Sequence, residues 1–384
     1  MALFSSVFQQ ILKLFPRIEF GEIVQQHRAE RHARGFTCWQ QFVSMLFCQL
    51  GRAQTLREVC DGLRSIDGKL RHLGIQPPKR STLAYANEHR PWQLYPEVFY
   101  RLLDRVQADT SPKHRFRFKN PLLSIDSTII ELCIEVFEWA KYKQQKGAIK
   151  LHMVLDHAGH LPTFCDLTTG SVHDIKVARE LRFRAGTVLV FDRGYVDYTW
   201  FRQLTAQGVW FVTRGKKNIN FTVLEERPVS GLILADEVVD LHKHRSYGFS
   251  PVRLRRVVVV SEDDGSILEF FTNNHRLAAS TIAAIYKQRW QIEIFFKAIK
   301  QNLRIKSFLG TSANAVAIQI WAALIAILIL KYLQLKARRG WSLSHLVALL
   351  RLHLFSYRDL WAWLDDPFAA TDLPPSTQIS LQFG

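Results

Sequence analysis

Cysteine is scarce and poorly placed for a framework: the 384 residues hold five, at Cys38, Cys48, Cys60, Cys133 and Cys165. The number is odd and no pair has CxxC spacing, which argues against a disulfide scaffold or zinc ribbon and fits a reducing cytoplasm. His152, His157, His160 and His173 match no common zinc spacing either. No run reaches the roughly 20 apolar residues of a membrane span. The longest, Ile320 to Leu330 between Gln319 and Lys331, reads as a buried core helix. The opening residues lack the basic start, continuous apolar stretch and small-residue cleavage site of a signal peptide. GxxxxGK(S/T) and GxSxG are both missing, so neither a P-loop NTPase nor an α/β-hydrolase has an anchor.

Acids are also in short supply. Against 51 Lys and Arg stand 34 Asp and Glu, a formal net charge of +17. Hydrophobic residues at 48% and charged residues at 22% are globular composition and exclude a mainly disordered basic tail. The excess charge is uneven: +9 over residues 1–120, +1 over 121–215, −1 over 216–275 and +8 over 276–384. A folded basic body attracts polyanions, nucleic acid ahead of an anionic membrane surface.

The length suggests two or three domains. Residues 1 to about 107 carry apolar residues at helical spacing, such as Phe42, Met45, Leu46 and Leu50. Gln54 to Arg90 reads as helix, turn and second helix, with Ser81 placed to cap the second helix and Lys79, Arg80 and Arg90 flanking it. That pattern suits a helix-turn-helix DNA reader and equally an ordinary helical bundle with a basic rim. After the basic connector 111–120, the segments 122–126, 149–156 and 161–168 read as strands, the last two as a hairpin. Helices near 174–181 and 198–206 then alternate with strands at 187–192 and 209–214, which implies a mixed sheet covered by helices. Residues 216–275 turn strand-rich, and a long helical pattern begins near Ala278.

Asp126 and Asp192 end two apolar strands, LLSID and TVLVFD. Ligands in open α/β sheets collect beyond the carboxyl ends of strands, although for a lone Asp capping the next turn is the more ordinary role. Between Arg276 and Arg339 there are eleven Lys and Arg and one acid, Glu293. Tyr286, Arg289, Glu293 and Lys300 fall within roughly 60° of one another on one helical face. A solvated ladder of i,i+4 pairs explains the spacing but not a single acid in so basic a segment. Three carboxylates from two strands and a helix suit two-metal phosphoryl transfer, in which Mg²⁺ takes oxygen ligands and cations hold phosphates.

Tyr286, Arg289, Glu293 and Lys300 reproduce the Tyr-x2-Arg-x3-Glu-x6-Lys signature, and with Asp126 and the run Asp192 to Tyr195 the chain resembles bacterial DDE transposases of insertion-sequence family four. The resemblance covers about 115–355 and extends more weakly into the N-terminal helices. It implies an α/β ribonuclease H-like mixed sheet with a β-rich insertion, preceded by an all-α domain and followed by C-terminal helices. The boundaries are a helical DNA-binding domain at 1–110, core at 115–215, insertion at 216–275, the glutamate helix at 276–310 and C-terminal helices at 311–384. It assigns two Mg²⁺ ions, with Mn²⁺ as substitute, to Asp126, Asp192 and Glu293. Arg289 and Lys300 would hold phosphates and Tyr286 the backbone near the scissile bond. Trp290, Lys297 and Arg193, with Lys79, Arg80 and Arg90 in the N-terminal region, complete the DNA contacts.

The implied activity is cleavage at terminal inverted repeats and joining of the 3′-hydroxyls to target DNA by a cytoplasmic protein that is a homodimer on DNA. Some relatives stack a flipped base on an insertion tryptophan; residues 216–275 contain none, which leaves Trp290, Phe221 and Phe249 for that role. Two alternatives stay open: a nuclease of this fold that never joins strands, and a non-catalytic, domesticated DNA-binding protein. The apolar C-terminal pattern after Ser342 suits either a dimer contact or core packing.

Overall fold

The computed structural model describes residues 5–369 except 32, 34, 111–115, 134, 144–145, 217–218, 243–251, 304 and 306, so Phe249 lies outside the described residues. Six helices come first: α1 (Val7–Leu12), α2 (Arg17–Gln26), α3 (Cys38–Gly51), α4 (Leu56–Ser65), α5 (Arg80–His89) and α6 (Leu94–Asp109). Helix α3 starts on a reciprocal cap: Gln40 N–H donates to Thr37 Oγ1 at 3.2 Å and Thr37 N–H to Gln40 Oε1 at 2.8 Å. The expected helix pair is present as α4 and α5. The whole stretch 66–79, with two short 3₁₀ turns, lies between them, longer than the tight turn of a helix-turn-helix. Helix α5 also begins one residue before Ser81, on Lys79, so Ser81 stands inside the first turn and caps nothing.

The sheet follows, with β1 (Leu122–Leu132), β2 (Lys141–Lys143), β3 (Lys146–Asp156), β4 (Leu161–Thr169), α7 (Asp174–Glu180), β5 (Val188–Phe191), α8 (Tyr198–Ala206) and β6 (Trp210–Arg214). Four more strands, β7 (Asn220–Glu226), β8 (Ile233–His242), β9 (Val252–Val260) and β10 (Ile267–Thr272), make up the strand-rich insertion. The order is β2-β3-β1-β5-β6-β10-β9-β8-β7, with β4 pairing β3. β1, β5 and β6 are parallel neighbours; β10 pairs β6 antiparallel, so the insertion extends the central sheet. β1 does not stop at Asp126. Its second half pairs antiparallel with β3, which carries the strand to Leu132 and leaves Asp126 mid-strand.

The chain ends in α9 (Ala279–Gln288), α10 (Trp290–Asn302), α11 (Ala313–Lys336), α12 (Leu343–His353) and α13 (Leu360–Asp365). Helix α11, capped by Ser312, is apolar on every side and buried along most of its length. By length and composition it could cross a bilayer, yet 83% of its apolar window is buried inside the protein. Around it pack the helices from both ends of the chain and one face of the sheet in a single core. Trp321 meets Phe99 at 5.5 Å, and Asn314 Nδ2 donates to the carbonyls of Asn87 and Arg90 at 2.8 and 2.7 Å. The first helix is tied to the C-terminal region by Phe8 N–H donating to Leu354 O at 2.8 Å. Leu346, Leu350, Trp363 and Leu364 of α12 and α13 are buried in that same core.

A buried ion pair fixes the insertion against the helices. Arg255 on β9 grips Asp236 on β8 through two bonds of 2.7 and 2.6 Å, and its Nη1 donates to Leu277 O, just before α9, at 2.5 Å. Both side chains are under a tenth exposed. Removing one partner strands a desolvated charge, so Asp236→Ala is expected to cost about 3–5 kcal/mol in denaturant unfolding. A loss under about 1 kcal/mol would show that water reaches the pair.

Candidate active site

The register of the parallel strands brings the two aspartates together. Ser124 on β1 pairs with Val190 on β5. Two residues further on each chain stand Asp126 and Asp192, at the same level and on the same face of the sheet. Ser127 N–H donates to Asp126 Oδ1 at 2.8 Å, and Gly194 N–H to Asp192 Oδ1 at 2.7 Å. A Cβ on Gly194 would stand 2.9 Å from that oxygen, so any larger residue here must push the Asp192 carboxylate aside. Gly194→Ala is therefore expected to displace the Asp192 carboxylate and lower the activity this site supports about 10-fold or more, with little change in melting temperature because residue 194 is exposed. Unchanged activity would mean the carboxylate tolerates the shift.

Glu293 approaches Asp126 from the helical side, with Arg289 between them. The sequence pattern suggests one continuous helix, but the structure breaks it at Arg289, where Arg289 N–H bonds to Tyr286 O and Ile292 N–H to Arg289 O, each three residues back. Helix α9 packs across β5, β6 and β9, and α10 along β1. The tightened turn lets the chain change direction between these strands and puts Glu293 in the first turn of α10. Arg289 Nη1 donates to Glu293 Oε1 at 2.6 Å and lies 3.9 Å from Asp126 Oδ2. Its guanidinium also covers the Tyr286 ring at 5.6 Å. Lys300 Nζ donates to Ile129 O on β1 at 2.9 Å. The four helix residues thus face β1 and the aspartates despite the break.

Burial dominates the electrostatics of the site. Burial first pushes the Asp126 carboxyl up to about 7; the Ser127 N–H bond and Arg289 work against this, while Asp192 and Glu293 add to it. Tyr286 is raised mainly by burial, with Arg289 and Arg214 opposing and Asp192 reinforcing, so its hydroxyl lies within the field of the same groups. Arg289 Nε is buried with no hydrogen-bond partner.

Behind Asp126 lies a buried network that spacing did not reveal. Ser127 Oγ donates to Asp174 Oδ1 at 2.7 Å, and the nearly buried Lys150 pairs with the same oxygen at 3.1 Å. His152 is buried, meets Thr168 Oγ1 at 2.8 Å and is lowered by desolvation to about 4, so it is neutral. Tyr195 is buried beside Asp126, Asp174 and Asp192, and burial and those charges raise it well above its ordinary value. The signals were DRGY, whose Tyr follows Asp192, and an Asp opening α7; the residues span too much sequence for a pattern search to join them.

The other expected contacts divide by exposure. Trp290 is 57% exposed beside Arg289, Lys297 is exposed seven residues further along α10, and Arg193 is exposed directly after Asp192. Phe221 packs against Phe271 and under Arg256. Lys79 and Arg80 are exposed at the start of α5, and Arg80 and Arg57 line a cleft with Phe308, beyond α10. Arg90 is half-buried: it donates to Gln41 Oε1 at 3.3 Å and to Phe36 O, and covers the Phe36 ring.

A family model described as a transposase DDE domain matches residues 117–329, a span that contains Asp126, Asp192 and the whole Tyr286 to Lys300 motif. The chain belongs to the DDE transposase family. Residues 4–76 of the transposase match a second model, a domain of unknown function, DUF4372. A Sinorhizobium fredii protein named as a transposase is 32% identical over 308 residues, 79% of this chain and 83% of the relative. A Geobacillus stearothermophilus protein, named as a transposase for insertion sequence element IS5377, is 30% identical over 69% of this chain and 70% of its own. The central sheet of the transposase is the family's ribonuclease H-like core.

DDE transposase domains use divalent metal ions. The donors here fit a hard cation: all are carboxylate oxygens, and burial, reinforced by Asp192 and Glu293, drives Asp126 toward its neutral form against the Ser127 N–H bond and Arg289. Among the described residues no three acidic, imidazole or thiol groups stand close enough to share one ion. Glu293 is held on Arg289 at 2.6 Å.

Proposed function

We propose that this DDE transposase binds the terminal inverted repeats of its own element, hydrolyses the phosphodiester at each end to free a 3′-hydroxyl, and joins that hydroxyl to target DNA. The observation that carries the reading is the convergence of Asp126 and Asp192 on adjacent parallel strands with Glu293 beside Arg289. Two Mg²⁺ ions, with Mn²⁺ as substitute, supply Lewis acidity to the attacking and leaving oxygens when bound. Asp126, Asp192 and Glu293 hold them, and the bonds from Ser127 and Gly194 fix the two aspartates. Water is the nucleophile at the first phosphodiester and the freed 3′-hydroxyl at the second; in each step the P–O bond opposite the attack breaks.

Arg289, with its unspent Nε donor, and Lys300 hold phosphates of the element end. Tyr286 contacts the backbone near the scissile bond. Exposed Trp290 is placed to stack an unpaired base, and Lys297 and Arg193 extend the charged surface. Lys79 and Arg80 carry the duplex onto the helical layer, where Arg90 serves the fold. Pairing of two ends calls for two copies, so the DNA complex is a homodimer acting in the cytoplasm. The test is to incubate pre-cleaved element ends with a plasmid and Mg²⁺. Joined products support the transposase reading, hydrolysis without joining indicates a nuclease of the same fold, and binding without either in Mg²⁺ or Mn²⁺ indicates a non-catalytic DNA-binding protein.

A further inference from the structure

We propose that a groove at the N-terminal end of β1 is a second anion site, one that takes a phosphate group on Lys331 and Lys119 away from the carboxylate cluster. Two cavities of about 850 and 580 Å³ adjoin there, sharing Pro121, Asp156, Ala158, Gly159 and Leu335. They run between the β3–β4 turn and the last turns of α11. Asp126 lies four residues beyond Leu122, about 13 Å along the strand, so a phosphate in the groove is not the scissile one.

The walls carry more cations than acids. Lys119 and Lys331 line one cavity together with His157 and His160, and Arg182 and Arg184 line the other. Of the acids in the same walls, Asp109 is held by Lys336 at 3.2 Å and by the Tyr332 hydroxyl. Asp156, which lines both cavities and keeps its charge, accepts Ala158 N–H at 2.9 Å within its own turn. Arg182 is engaged on backbone carbonyls at the end of α7. Among the described residues neither Lys119 nor Lys331 has a carboxylate within ion-pair distance.

Lys331 carries the argument. It follows the fully buried Leu330 in the apolar helix α11, and its Nζ has a hydrogen bond to Gln334 Oε1 at 3.2 Å. Desolvation lowers its pKa. A half-buried lysine with no acid beside it among the described residues costs stability in the ligand-free protein, and an entering anion recovers that cost. Phe116 and Phe118, stacked at 5.0 Å, form an apolar part of the wall. The phosphate is either that of a DNA backbone or that of a free phosphorylated ligand.

The experiment titrates the full chain with inorganic pyrophosphate by calorimetry and measures duplex DNA binding across salt. Lys331→Gln is expected to weaken pyrophosphate about 10-fold or more and to raise the melting temperature of the ligand-free protein. Lys119→Ala, on the exposed rim, is expected to weaken it several-fold with no change in melting temperature. If the phosphate is DNA's, the salt slope of duplex binding falls by about one in each variant. Weakened pyrophosphate with an unchanged slope identifies a free phosphorylated ligand. Unchanged pyrophosphate affinity and unchanged slope in both folded variants overturn the proposal. The DNA arm rests on the reading of this chain as a duplex-binding transposase; the pyrophosphate arm does not.

Discussion

Asp126→Asn is expected to make the metal-free protein more stable at pH 8 while lowering DNA cleavage by at least about 10³-fold. The two effects have one cause. In the folded chain the Asp126 carboxyl titrates near 7 instead of the ordinary 3.8, because burial, Asp192 and Glu293 together outweigh Arg289. Below about pH 4 the group is protonated folded or unfolded and contributes nothing. As pH rises from there to 7 the unfolded chain gives up its proton and the folded chain does not, so stability falls through that window, and the full cost stands above pH 7. A rise from 3.8 to about 7 corresponds to at most about 4 kcal/mol. Asparagine removes the charge and with it the cost, and it removes a metal ligand. Melting curves of the two proteins should therefore coincide near pH 3 and separate by pH 8, with the variant higher. Mg²⁺ at pH 8 should raise the melting temperature of the natural chain much more than that of the variant. Parallel curves across pH would show that Asp126 is solvated.

Leu324→Asp should prevent folding of both the helical layer and the sheet. Leu324 is fully buried in α11, the helix against which the N-terminal helices, the C-terminal helices and the sheet all pack. An unpaired carboxylate there costs more than about 5 kcal/mol, comparable to the net stability of a domain. Circular dichroism should report loss of helix and strand together, whereas Leu324→Met, which conserves volume, should remain folded within about 1.5 kcal/mol. A folded sheet in the aspartate variant would mean that the layers are independent.

Much of the frame was legible because local periodicity decides it. The β3–β4 hairpin, the alternation from α7 to β6 and the strands of the insertion all stand close to where apolar runs and turn residues put them. The four-residue helix motif was legible for a chemical reason, one acid among eleven cations. What escaped depends on partners. Residues 127–132 do not read as strand by themselves; β3 across the ladder extends β1 past Asp126. Nothing at Arg289 announces a break, since neither Gly nor Pro stands there and the apolar stripe continues; packing first on β5 and β6 and then on β1 imposes it. Arg90 is indistinguishable in sequence from its exposed neighbour Arg80, and burial against Phe36 separates them. The run from Ile320 to Leu330 indicated burial, but not that both ends of the chain would gather around it.

The central claim is that Asp126, Asp192 and Glu293 act as one site for cutting and joining DNA. Its most direct measurement is strand transfer by Glu293→Ala, with pre-cleaved element ends, a plasmid target and Mg²⁺, alongside binding of those ends. The account predicts that end binding survives and that joined products vanish. Full strand transfer by Glu293→Ala would contradict it.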